Sequence, residues 1–122
     1  SKYRNAGQTC VCANRFYVQD GVYDQFVAKF SAKVKTLKVG NGFDDDVVQG
    51  PLIEDAAVEK VARHVQDAIQ KGGKVMVGGH KIDGQFFEPT VIANASAWAT
   101  SSFSAMFMLQ PGDCSPSRSV VS

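Results

Sequence analysis

Ala13-Asn14-Arg15-Phe16-Tyr17-Val18-Gln19, then Asp20-Gly21, then the run from Val22 to Leu37, is the stretch on which the fold turns. Its first part is aromatic and in part β-branched, as a short strand requires, and Asp20-Gly21 closes it. From Val22 the period changes. Apolar residues fall at Val22, Phe26, Phe30, Val34 and Leu37, with Tyr23 and Val27 widening the stripe. Lys29, Lys33 and Lys35 occupy positions on the solvent side. Such spacing defines an amphipathic helix.

Downstream, Val39-Gly40-Asn41-Gly42-Phe43-Asp44-Asp45-Asp46 is loop by composition. Gly50-Pro51-Leu52-Ile53 leads into a second helix from about Glu54 to Lys71, with a stripe of Val58, Val61, Ala62, Val65, Ala68 and Ile69. Acidic Glu54 and Asp55 at its start and Lys71 at its end suit the helix dipole, and Gly72 is a natural C′ residue. Lys74-Val75-Met76-Val77 reads as a strand stopped by Gly78-Gly79. A last strand spans Phe86 to Ile92, with Pro89 confining part of it to an edge or bend. Strand, helix, helix, strand, strand is an α/β arrangement.

The composition narrows the function. The 122 residues are 44% hydrophobic and 20% charged, too apolar for disorder. Thirteen basic and twelve acidic residues give a net charge of +1, which speaks against a nucleic-acid binder. No apolar run approaches a membrane span. Cys10, Cys12 and Cys114 are too few and too odd in number for a disulfide framework, and they point to a reducing, cytoplasmic setting. With only His64 and His80 available and a Cys-x-Cys spacing, no metal site is expected. His64 reads as decoration on a helix surface, and Asp44-Asp45-Asp46 as a solvated charge run.

The chain opens without Met and in mid-pattern, as a fragment does. From Ala93 onward the material changes. Asp113 and Arg118 are the only charges, serines abound, and neither a helical nor an alternating pattern holds. Residues 1–97 therefore read as part of a domain, and 98–122 as an anomalous, irregular tail. That tail is either a plain extension or a sequence discontinuity such as a frameshift or splice boundary, and the abrupt change in composition favours discontinuity. Cys114, inside it, has no assignable role.

The chemistry lies in Arg4-Asn5-Ala6-Gly7-Gln8-Thr9-Cys10-Val11-Cys12. A cysteine reached through Gly-Gln-Thr sits among small polar residues, as an approachable thiol must, although no histidine lies near it in sequence. Tyr3 to Cys10 closely resembles the active-site cysteine motif of the aldehyde dehydrogenase superfamily. The form with Arg4 and Cys10-Val11-Cys12 is similar to its succinate-semialdehyde dehydrogenase branch. The resemblance continues through Asn14 to Gln19, Val39 to Gly42, Gln49 to Ile53 and Phe86 to Thr90, in the family's order.

The resemblance implies a segment of an NAD(P)-dependent catalytic domain that oxidises succinic semialdehyde, or a similar carboxylated aldehyde, to the acid. Cys10 would be the nucleophile, passing through a thiohemiacetal and a thioester, with its own N–H as an oxyanion donor. Gly7 and Thr9 would shape the loop. Arg4 would pair with the substrate's distal carboxylate. The cofactor would be NAD or NADP, held largely outside this chain, and the full-length family forms homo-oligomers. The family's general-base glutamate and oxyanion asparagine lie upstream of the motif. Its downstream Glu-Glu-(Thr/Ile)-Phe-Gly-Pro block has no counterpart between Trp98 and Ser122. The other reading is a truncated or frameshifted fragment without catalysis. Cys12 is a possible redox partner of Cys10: an extended Cys10-Val11-Cys12 would place both thiols on one face.

Overall fold

The computed structural model describes residues 2–94 together with the backbone of 106–112. The elements are β1 (Arg15–Gln19), α1 (Asp20–Lys35), β2 (Lys38–Val39), β3 (Val47–Gln49), α2 (Asp55–Gln70), β4 (Lys74–Val77), β5 (Thr90–Ala93) and β6 (Met106–Gly112). A four-stranded sheet has the order β1-β6-β5-β4. β6 runs parallel to both its neighbours, and β4 is antiparallel to β5. The loop around Gly40 to Asp46 is flanked by the short parallel pair β2–β3.

Every residue of β5 is buried, and its side chains alternate between two cores. Ile92 joins Val58, Val61, Val65 and Ala68 of α2, with Leu52, Phe87 and Ala6. Val91 and Ala93 face the other way and join Val18 with Val27 and Val34 of α1. The sheet thus carries a helix on each face, and its inner strand is apolar along its length, as that layering demands.

α1 begins at Asp20, earlier than the periodicity suggests. Gln19 is still extended, with φ −58° and ψ 136°, so strand passes into helix without a loop. Asp20-Gly21 therefore opens the helix instead of stopping the strand. An acidic residue in the first turn is favoured there by the dipole, and Asp20 supplies it. Along α1 the buried residues are Val27, Ser31 and Val34, while Val22 is exposed. In α2 the expected stripe holds from Val58 to Ala68, but Ile69 is 44% exposed and lies beyond it.

The strand expected over Phe86 to Ile92 is shorter. Regular pairing starts only at Thr90, because Pro89 has no N–H to give. Before it, Phe87 is linked by a single bridge to Lys81. Gly78, at φ +70°, lets β4 end against this bend: a Cβ built there would lie 2.4 Å from the Pro89 carbonyl oxygen. The expectation of an irregular tail fails for Met106–Gly112, which forms β6 between β1 and β5. Cys114 and the remainder of 98–122 lie outside the described residues.

Candidate active site

The motif folds as a tight reversal ahead of β1. Arg4–Gly7 forms a 3-10 turn in which Asn5 (φ 50°), Ala6 (φ 51°) and Gly7 (φ 78°) are successively left-handed. Gly7 takes this conformation freely; Asn5 and Ala6 pay roughly 1–3 kcal/mol each, so surrounding contacts must hold them. Those contacts are present. The Ala6 methyl is buried in the core under α2, and Tyr3 packs on the core under α1. The Tyr3 hydroxyl donates to the Thr90 carbonyl at 2.8 Å, tying the reversal to the head of β5. Gln49 in β3 donates its amide to the Tyr3 carbonyl.

A second turn, Thr9 to Cys12, follows, closed by the Cys12 N–H donating to the Thr9 carbonyl at 2.9 Å. Cys10 sits at the exposed side of this turn and Cys12 beneath it, 7% exposed, with both thiols free. Cys12 Sγ donates to the Arg4 carbonyl at 3.7 Å, and Thr9 Oγ1 donates to the same oxygen at 3.4 Å. The premise of an extended Cys10-Val11-Cys12 does not hold. The turn puts one thiol in solvent and the other in the interior, and both are free. The Arg4 side chain is exposed, and its main chain is fastened to the cysteine turn through that doubly used carbonyl.

Three contributions were not legible in the motif. Gln8 reaches across to the segment before α2: its Oε1 accepts the Ile53 N–H at 2.9 Å, and its Nε2 lies 3.3 Å from both the Pro51 and Asn5 carbonyl oxygens. Lys2 is 2% exposed and donates to Asn14 Oδ1, bracketing the motif at its two ends. Burial pushes its pKa from 10.5 down to about 8, with the neighbouring Cys12 acting weakly in the opposite sense. Tyr3, half-buried against the core under α1, has its pKa raised by desolvation. His64, on α2, is half-buried, and desolvation together with Lys60 lowers its pKa.

No group of three or more His, Cys, Asp or Glu among the described residues is placed to hold a metal. No described helix is long and apolar enough to cross a membrane. β1 enters α1 without a loop, and the approach to α2 has the Ile53 N–H already engaged by Gln8. Neither strand-to-helix junction offers a glycine-rich cradle of free amides to a pyrophosphate. A cleft of about 610 Å³ runs beside the motif, lined by Tyr3, Phe16, Phe26 and Phe30 together with basic Lys2, Arg4 and Lys33 and aliphatic residues.

Comparison with known proteins agrees with this architecture. The aldehyde dehydrogenase family model matches residues 1–103. Glutarate-semialdehyde dehydrogenase of Pseudomonas putida is 58% identical over 94 residues, covering 77% of this chain and 20% of its own. The mitochondrial succinate-semialdehyde dehydrogenase of Rattus norvegicus is 58% identical over 99 residues, covering 79% of this chain and 19% of its own. The crystal structure of an aldehyde dehydrogenase from Brucella melitensis superposes with a TM-score of 0.87 at 48% identity, over 93% of this chain and 24% of that one. The chain spans about a fifth of the length of the curated relatives it matches. With its α/β layering and its sequence in agreement, the chain belongs to the aldehyde dehydrogenase family.

Proposed function

We propose that this chain carries the nucleophile and part of the substrate clamp of an NAD(P)-dependent aldehyde dehydrogenase acting on aldehydes with a distal carboxylate, succinic semialdehyde above all. The observation that supports this best is the contrast between two thiols on one turn, Cys10 exposed and Cys12 buried. A thiol that attacks carbon needs access and must give up its proton. As a thiolate, Cys10 Sγ bonds to the aldehyde carbon while the carbonyl π pair moves onto oxygen. Protonation of that oxygen gives the thiohemiacetal. The Cys10 backbone N–H is the donor we assign to the oxygen as its charge develops. At the end of the cycle water attacks the carbonyl carbon of a thioester on the same sulfur; the C–S bond breaks, the acid leaves and a proton from that water restores the thiol. The oxidation between the two adducts belongs to parts of the enzyme beyond these residues.

Arg4 is the second member. Its exposed guanidinium stands on a backbone fastened to the cysteine turn, so nucleophile and cation keep a set relation. A guanidinium fork receives a carboxylate through two charge-assisted hydrogen bonds. The relatives named for succinate and glutarate semialdehydes agree with such a role, since both aldehydes end in a carboxylate.

The test uses the full-length enzyme. Cys10→Ala should abolish oxidation of succinic semialdehyde, and iodoacetamide should label the Cys10 peptide ahead of Cys12. Arg4→Ala should lower kcat/KM for succinic semialdehyde by roughly 10- to 150-fold, the equivalent of ~1.5–3 kcal/mol, while a neutral aldehyde of similar length loses little. Full oxidation by Cys10→Ala would overturn the nucleophile, and equal losses on both aldehydes would overturn the clamp.

A further inference from the structure

We infer that Gln8 is the positioning residue of the cysteine turn, an inference that rests on Cys10 being the nucleophile. The amide of Gln8 grips the chain ahead of α2 at two points. Its Oε1 accepts from the Ile53 N–H at 2.9 Å, and its Nε2 approaches the Pro51 carbonyl at 3.3 Å. The segment it grips is itself anchored. Leu52, between those two partners, is 2% exposed in the core, and its N–H donates to the Gln85 carbonyl at 2.9 Å. On its own side, the Gln8 N–H donates to the Asn5 carbonyl at 3.0 Å, and Nε2 lies 3.3 Å from the same oxygen. Gln8 therefore spans from the left-handed reversal to a fixed part of the core, two positions before the nucleophile. Ile53, by contrast, has its side chain 81% exposed, so what it brings to this contact is the backbone N–H.

This arrangement has a kinetic consequence. The Thr9–Cys12 turn projects into solvent, and the contacts that hold Cys10 over one point in space must come from its flanks. The Arg4 carbonyl fastens the turn on one side through Thr9 and Cys12. Gln8 fastens it to the α2 approach. Without Gln8 the thiol stays exposed and chemically unchanged, but its aim toward a bound aldehyde widens. A misplacement of the order of 1 Å costs about 100-fold in an oriented reaction.

The experiment compares wild type with Gln8→Met, which keeps the volume and deletes both contacts, and with Gln8→Glu, which keeps an acceptor for the Ile53 N–H. In the full-length enzyme, Gln8→Met should lower kcat for succinic semialdehyde by about 10- to 100-fold with KM unchanged. The rate at which iodoacetamide alkylates Cys10, which needs no aim, should stay at the wild-type value. Gln8→Glu should recover part of kcat. Ile53→Pro removes the donor from the other side, and combining it with Gln8→Met should cost no more than either change alone. An unchanged kcat in Gln8→Met, or additive losses in the double variant, would overturn the inference. So would alkylation slowed in step with kcat, which marks a general disturbance of the loop. Should Gln8→Met fail to fold, the Gln8→Glu and Ile53→Pro pair carries the same test. Cys10→Ala run in parallel separates the two readings: activity retained there removes the nucleophile, whereas activity lost there but kept in Gln8→Met removes only the role of Gln8.

Discussion

At the scale of single residues, Lys2 is the group whose chemistry the fold alters most usefully for measurement. Its ammonium is protonated in the unfolded chain up to about 10.5, but in the folded chain only up to about 8. Below pH 8 it is charged in both states, and the folded state bears the full cost of burying it. Between about pH 8 and 10.5 the unfolded chain binds more protons than the folded one, so stability rises with pH. Tyr3 works the other way, since its raised pKa keeps it neutral when folded while the unfolded phenol ionises from about 10.0 upward. Urea unfolding of wild type and Lys2→Met isolates the first effect. The stability of wild type relative to the variant should climb across pH 8 to 10.5 and be flat below; a difference independent of pH would contradict the burial of a charge there. The burial of neither residue was legible in the sequence, because nothing in Ser1-Lys2-Tyr3 announces it. That comes from the reversal at Asn5-Ala6-Gly7, which folds the start of the chain back onto the core. Cys10 and Arg4 are nominated by the motif alone, whereas the buried position of Cys12 comes from the turn into which that motif folds.

Among the elements, the junction of β4 and β5 is the most exacting. Gly78 turns the chain at φ +70° with the Pro89 carbonyl where a Cβ would go, and the next N–H, of Gly79, donates to Thr90 Oγ1 at 3.0 Å. Gly78→Ala adds a 2.4 Å clash with backbone to an unfavourable dihedral, and should destabilise the protein by about 2 kcal/mol or more. Gly72→Ala, with a comparable φ of +90° but open space around it, should cost only about 1 kcal/mol. Thermal unfolding of the two variants separates contact from dihedral; equal losses would remove the close approach as the cause. The helices were readable because their apolar stripes repeat at helical period. The short strands were less so. β5 lost its first half to a proline, and β2–β3 are too brief to show alternation inside a glycine- and aspartate-rich loop.

At the scale of the molecule, α/β layering followed from two amphipathic helices between apolar strands, whereas the strand order did not. β6 carries no pattern of its own in the sequence, and it lies between β1 and β5. The layering also bears on what the chain does alone. It spans about a fifth of its curated relatives, and neither of its described strand-to-helix junctions is a glycine-rich phosphate cradle. The purified 122-residue chain should therefore oxidise no succinic semialdehyde at any NAD or NADP concentration; measurable turnover would overturn this. The strand order also imposes a calendar on synthesis. Among the described residues β1 pairs only with β6, so its ladder hydrogen bonds at Arg15–Gln19 wait until Met106–Gly112 has been made. At about 5–20 residues per second that is a delay of roughly 5 to 20 seconds. Throughout it the nascent chain carries a strand whose partner β6 is not yet made, an open sheet edge of the kind chaperones shield.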